Sequence, residues 1–163
     1  MENNIIVHDN FAEIELKDGL SARVSLEDLP LVRDYTWRLR IGKLGHAYTY
    51  TYIDGKYVAM HRALLNAPKT MWVDHKDGDG LNNTRENIRL CTPAQNMANK
   101  AVERRNSLGL KGVWLSNGKY RASIKPNGKT VGLGTYSTKE EAAAAYRGAA
   151  IMAWGDFAKD APK

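Results

Sequence analysis

Val73-Asp74-His75-Lys76-Asp77-Gly78-Asp79-Gly80-Leu81-Asn82-Asn83, followed by Glu86-Asn87-Ile88-Arg89-Leu90 and then Gln95-Asn96, decides the reading of this 163-residue chain. The stretch gathers a carboxylate suited to a metal, an imidazole and two amides. Hydrolysis of a phosphodiester demands such a set, because a hydroxide-like nucleophile must be made near neutral pH and negative charge must be stabilised on the phosphate and the departing oxygen. Asp74 and His75 are consecutive, so on a strand their side chains point to opposite faces. They are therefore expected at a strand end, where the backbone can turn both towards one phosphate. The loop over residues 77–84 is too long for a tight hairpin and must be tied down. Asn87, with two donors and an acceptor on one amide, can bridge backbone groups across it. Thr92-Pro93 then marks a helix start, Thr as N-cap and Pro at the first helical position, running through Gln95, Asn96 and Asn99 towards Arg104. Asn96 thus falls in the first helical turn.

Other readings of the same residues are weaker. Counted from Asp77, the sixth position is Asn82 where a calcium loop needs Gly, and no Glu falls at the twelfth. Asn82, Asn83 and Thr84 read as turn formers, and Asp77 and Asp79 as a solvated loop. An isolated Asp-His pair is commonly structural; here the remaining elements follow in order. His8 and His46 receive no role.

These residues resemble an HNH homing-type endonuclease of phage type, in the variant whose third motif position is Asn instead of His. Residues 26–37, Tyr48 and Met60-His61-Arg62 have the look of the same family. The resemblance implies an α+β fold with a ββα-metal nuclease module, and hydrolysis of one strand of double-stranded DNA. It implies His75 as general base and Asn87 as the loop-holding member of the catalytic set. Asp74 and Asn96 become metal ligands, completed by phosphate oxygens and water, and Arg62 a phosphate contact. Asn at the third position is a weaker ligand than imidazole for zinc-like metals, which favours Mg²⁺ or Mn²⁺. With a single cysteine, Cys91, neither an intrachain disulfide nor a Cys-clustered zinc site is available.

The charge is unevenly placed. Residues 98–163 carry 12 Lys+Arg against 5 Asp+Glu, whereas residues 1–97 carry 12 against 13, so the formal excess of +6 lies in the C-terminal part. Two modules are expected, one facing a polyanion: residues 1–102, a linker at 103–109, and residues 110–163. In the first, 11–16, 22–24, 46–52 and 56–60 read as strands, with a hairpin at Asp54-Gly55. Ser25-Leu26-Glu27-Asp28 reads as the capped start of a helix over 29–35, and Trp37 as a core anchor. In the second, strand signals at 111–115, 119–125 and 130–136 form an antiparallel meander. A capping-box pattern at Thr138 to Glu141 then opens an Ala-rich helix that stops at Gly155.

Lys111-Gly112-Val113, residues 120–125 and 131–136, Glu140-Glu141-Ala142-Ala143-Ala144-Ala145-Tyr146 and Gly155-Asp156-Phe157-Ala158 resemble the Apetala/ethylene-response-factor type of DNA-binding domain. The resemblance implies a three-stranded antiparallel sheet packed on one helix, its open face in the major groove. It places Lys111, Trp114, Ser116, Arg121, Ser123, Lys125, Thr130 and Gly132 towards DNA, with Tyr146 contacting from the helix. Alternation agrees independently: Lys119, Arg121, Ser123 and Lys125 share one face of their strand. Arg121 is the best candidate for reading a guanine edge.

No apolar run approaches a membrane span, and the opening Met1-Glu2-Asn3-Asn4 lacks the order of a signal peptide, so a soluble protein is expected in the cytoplasm of a bacterial or phage-infected cell. Its expected partner is duplex DNA, with monomeric action left open. The rival readings are a non-catalytic DNA-binding regulator on the same scaffold and an RNA-binding protein.

Overall fold

In the computed structural model, which describes residues 3–42, 45–100 and 106–158, strand β2 (Phe11–Glu15) pairs antiparallel with both β1 (Ile5–Val7) and β3 (Ser21–Ser25). Ala12 and Ile14 of β2 and Ala22 and Val24 of β3 alternate into one buried face. They pack with Val32, Trp37, Met60, Leu64 and Ile88 into the core of one compact unit, Met1–Cys91. Trp37 is anchored by its indole N–H, which donates to the Val32 carbonyl at 2.8 Å.

The helix expected over 29–35 is shorter. A 3₁₀ turn at Leu26–Asp28 leads into the single turn α1 (Leu29–Val32), and Ser25 makes no side-chain cap. Its Oγ instead accepts the Arg85 backbone N–H at 2.9 Å. Asp28, 1 % exposed, takes the Arg85 guanidinium at 2.7 and 2.6 Å. The acid that looked like a local cap partner thus serves an ion pair across 57 residues of sequence, and buried carboxylates persist only when paired in this way.

A second sheet follows: β4 (Arg38–Ile41), β5 (Ala47–Ile53) and β6 (Lys56–Ala59), in that spatial order. Asp54 and Gly55 join β5 to β6 with φ of 50° and 71°, the two positive values a tight hairpin turn requires. Sequence reading missed strand β4, although Arg38-Leu39-Arg40-Ile41 alternates cationic and apolar residues. After α2 (Met60–Leu64) comes the antiparallel pair β7 (Trp72–His75) and β9 (Ile88–Cys91). The loop between them contains the two-residue strand β8 (Asn82–Asn83), which adds in parallel to β3 with Val24 opposite Asn83. Gly80 in this loop has no room for a side chain, since a Cβ would lie 2.3 Å from the Ala47 carbonyl oxygen and 2.6 Å from the Tyr48 ring.

The second compact unit is Thr92–Lys163. It begins with α3 (Pro93–Asn99), whose capping box is complete: Thr92 accepts from the Gln95 N–H and Gln95 accepts from the Thr92 N–H. The helix stops at Asn99, with Lys100 extended, short of the Arg104 expected. Residues 101–105, which hold the first part of the expected linker, lie outside the described residues. α3 packs within this second unit, and the Lys111 ammonium donates to the Ala98 carbonyl. The division between compact units therefore falls at Cys91/Thr92, before the expected linker.

Strands β10 (Val113–Ser116), β11 (Lys119–Ile124) and β12 (Val131–Tyr136) form an antiparallel sheet in sequence order. Helix α4 (Lys139–Trp154) lies on it, opened by the Thr138/Glu141 capping box and closed by Gly155. Ala142, Ala143 and Ala150 are buried, and such short side chains let the backbones approach. Gly112, at φ +63°, faces the Tyr146 ring so closely that a Cβ would stand 2.3 Å from it. Register shifts between Ala122 and Ser123, which pair with Gly134 and Gly132 and leave Leu133 as a bulge. The bulge turns Leu133 into the core with Val113, Ala122 and Tyr136, and returns Gly132 to the open face. Among the described residues no helix is long and apolar enough to cross a membrane.

Candidate active site

His75 is the last residue of β7, so the strand ends at the imidazole. Both Asp74 and His75 are buried, at 4 % and 7 % exposure. Arg89, the cross-strand neighbour of Asp74 on β9, donates from Nε to Asp74 Oδ2 at 2.9 Å. On the other side, His75 Nε2 lies 3.3 Å from Asn83 Oδ1. Burial pulls the His75 pKa below its ordinary value of 6.5; the contact with Asn83 and the carboxylates of Asp77, Asp74 and Asp79 oppose it without winning. At neutral pH the ring is therefore uncharged, the form able to accept a proton.

The imidazole sits in an aromatic corner. Its ring centroid is 5.2 Å from that of His61, edge-on at 87°, and 6.1 Å from that of Tyr48, which also packs 5.9 Å from His61. His61 is held down at about 3, first by burial and then by His75 and Arg62. Its Nδ1 is buried without a hydrogen-bond partner among the described residues. The corner is thus uncharged apart from its carboxylates and arginines.

Asn87 spans the loop as a clamp. Its Oδ1 accepts the Asp77 N–H at 3.0 Å, and its Nδ2 donates to Asp77 Oδ1 at 2.9 Å and to the Asn82 carbonyl at 2.7 Å. The Lys76 N–H closes the base of the loop on the Asn87 carbonyl. Asp77 and Asp79 each accept a backbone N–H two residues on, from Asp79 and Leu81, and Asn82 donates to Asp77 Oδ2. Burial pushes the Asp77 carboxyl up, but the hydrogen bonds from Asp79, Asn82 and Asn87, with His75, outweigh it and hold the group below its ordinary value. Asp77 and Asp79 shape the loop.

Arg62, read from sequence as a phosphate contact, is engaged by protein. Its guanidinium donates to the carbonyls of Met71, Ala67 and Pro68, all at 2.9 Å, and so secures the turn leading into β7. Cys91, at the far end of β9, has its thiol pushed up to about 11, first by burial and then by Asp74, with Arg89 opposing. It is a packing residue. Asn96 lies partly buried on α3, in the second unit, its N–H bonded to the Thr92 carbonyl.

Among the described residues no three His, Cys, Asp or Glu side chains cluster as a metal site. The donors singled out from the sequence are one carboxylate and one amide oxygen, Asp74 and Asn96. Asp74 belongs to the first compact unit and Asn96 to the second.

In the second unit, cross-strand register sets Arg121 between Trp114 and Thr135, Ser123 opposite Gly132, and Ser116 opposite Lys119. Trp114 is 43 % exposed, so it belongs to this open face and not to the core. Lys125 and Thr130 are exposed beside it, just outside the strands. Two residues assigned to DNA do otherwise here: Lys111 holds Ala98, and Tyr146 is packed in the core against Gly112, its hydroxyl pKa raised by burial.

Sequence reading missed Asn83, Tyr48 and Arg89 as neighbours of the Asp74-His75 pair. Asn83 carried one signal, two consecutive asparagines in a loop, which turn propensity accounts for equally well.

The HNH endonuclease family matches this chain over residues 66–98, the span holding β7, the loop, β9 and most of α3. An HNH endonuclease, L560, of Acanthamoeba polyphaga mimivirus is 37 % identical over 146 residues, covering 86 % of this chain and 74 % of the relative. Protein 3.8 of Escherichia phage T7 is 36 % identical over 64 residues, covering 38 % of this chain and 53 % of the relative. No solved structure matches.

Proposed function

This chain belongs to the HNH endonuclease family and is a hydrolase of phosphodiester bonds, and from that premise we propose that it nicks double-stranded DNA in a metal-dependent reaction of the homing type, with His75 as general base. The observation that carries the proposal is a buried imidazole, kept neutral at a strand end, beside a buried carboxylate.

His75 takes a proton from water as the water oxygen bonds to phosphorus in line with the 3′ oxygen. The P–O3′ bond breaks, leaving a 5′-phosphate, and the 3′ oxygen gains a proton from solvent. Asp74 and Asn96 are the residues that would hold Mg²⁺ or Mn²⁺, which when bound supplies positive charge against the phosphate and the leaving oxygen. Asn87 acts through the loop: its three hydrogen bonds keep residues 77–82 folded beside His75. Burial of the corner formed by Tyr48, His61 and His75 keeps the imidazole uncharged until it is used. In this reading β7, β9 and the helix that follows them in sequence make up a ββα-metal module.

The sheet and helix of the second unit we assign as the clamp on the duplex, a C-terminal domain of Apetala/ethylene-response-factor type over 110–163. Its support is the open sheet face with Trp114, Ser116, Lys119, Arg121, Ser123 and Gly132 beside one another, and the excess of basic residues in this part of the chain.

Supercoiled plasmid incubated with the protein and Mg²⁺ should convert to open circles, and chelator should stop it. No conversion with Mg²⁺ or Mn²⁺ would refute the nicking reaction. Arg121→Ala in the full chain should weaken duplex binding by about 1–3 kcal/mol. Unchanged affinity and unchanged salt dependence would remove the clamp assignment.

A further inference from the structure

We propose that Asn83 is a positioning residue for His75: its side-chain oxygen holds the imidazole as the Nε2–H tautomer and leaves Nδ1 as the atom that accepts the proton from water. This rests on the reading of His75 as base given above.

The orientation of the Asn83 amide is fixed by what surrounds it. Nδ2 donates to the Leu81 carbonyl at 3.1 Å, and a carbonyl can only accept. The NH₂ end of the amide must therefore face Leu81, which turns Oδ1 towards His75 Nε2 at 3.3 Å. The Leu81 carbonyl is itself held by the Arg23 N–H at 2.8 Å. An oxygen facing Nε2 requires a proton on that nitrogen, and a neutral imidazole has only one N–H, so the lone pair is on Nδ1. During attack the water proton moves to Nδ1 as the oxygen–phosphorus bond forms, and Nε2 keeps its proton throughout.

Asn83 is built for constancy. It is 0 % exposed, and strand β8 locks it opposite Val24 on β3. An amide does not ionise, so it favours one tautomer without adding the negative charge that would draw His75 towards the imidazolium. Tyr48 and His61 pack against the His75 ring and hinder the flip that would put Cε1 in the place of Nε2 beside Asn83.

The full chain, labelled with ¹⁵N-histidine and free of metal, reports the tautomer directly in long-range proton–nitrogen correlation spectra at neutral pH. His75 should show a protonated Nε2 and an unprotonated Nδ1. Asn83→Leu, similar in size but without an acceptor, should give a mixture of tautomers and lower kcat by roughly tenfold to a hundredfold with KM unchanged, in the range of other lost partners of a catalytic histidine. A protonated Nδ1 in the wild-type chain would overturn the proposal whether or not the variant folds. So would a folded Asn83→Leu chain with unaltered tautomer and kcat. An Nε2–H tautomer in a wild-type chain that cannot nick DNA would retire the base assignment and leave the Asn83 contact standing.

Discussion

Replacing Asn87 by Asp changes one NH₂ group to oxygen and leaves the shape of the side chain intact. The bond from the Asp77 N–H survives, whereas the two donated bonds, to Asp77 Oδ1 at 2.9 Å and to the Asn82 carbonyl at 2.7 Å, become oxygen–oxygen contacts. Two lost hydrogen bonds remove about 2 kcal/mol. Two carboxylates at this separation repel by about 5 kcal/mol at an effective dielectric of 20. Asp77 is exposed, so solvent screens most of that and about 1–2 kcal/mol remains. The whole effect is about 3–4 kcal/mol at pH 7. Asn87→Ala loses all three bonds without the repulsion, about 2–3 kcal/mol. Stability at pH 7 should therefore fall in the order wild type, Ala, Asp. Near pH 4 one carboxyl of the Asp variant takes up a proton and can donate again, so the order of the two variants should reverse. Urea midpoints measure this, the three chains being compared with one another at each of the two pH values. An Asp variant as stable as the Ala variant at pH 7, nicking at the wild-type rate, would refute the idea that Asn87 clamps the loop.

Acid should destabilise the first unit through His61. The unfolded chain takes up a proton there below pH 6.5, and the folded chain refuses it until about pH 3. The unfolded state thus binds the extra proton between those values, and stability is lost as pH falls through that window. The loss is about 2 kcal/mol by pH 5. His61→Phe, which cannot titrate, should lose less Tm between pH 7 and pH 5 than the wild type; equal losses would rule out His61 as the cause. Gly80→Ala should lower stability by about 1–3 kcal/mol, because its Cβ meets the Ala47 carbonyl and the Tyr48 ring. Gly148→Ala has open space and a helical site on α4, so it should raise stability by about 0.5–1 kcal/mol. Thermal melts of the two glycine variants should move in opposite directions.

The parts of the fold legible in the sequence are those whose causes are local. Alternation in β2 and β11, the Asp54-Gly55 turn and the capping boxes at Thr92/Gln95 and Thr138/Glu141 each lie within a few residues, and each forms as its chemistry dictates. Ser25 and Asp28 show the opposite case. They had the spacing of a cap, but Arg85, far along the chain, offers a buried carboxylate a bidentate partner, and that long-range pairing prevails. The Leu133 bulge is equally hidden, because strict alternation over 130–136 cannot show the residue at which the sheet changes register. In the site, the adjacency of Asp74 and His75 and the bridging capacity of Asn87 could be read from residue types. The tasks of Arg62 and Asn83 could not, since Arg62 depends on the carbonyls of Ala67, Pro68 and Met71 and Asn83 on the His75 imidazole, which only folding brings within reach.

The sharpest measurement compares wild type and His75→Ala on supercoiled plasmid with Mg²⁺, alongside duplex binding measured without metal. Loss of the base should slow nicking by at least about a hundredfold, with duplex affinity unchanged. A His75→Ala chain that opens plasmid at the wild-type rate would contradict catalysis by this imidazole.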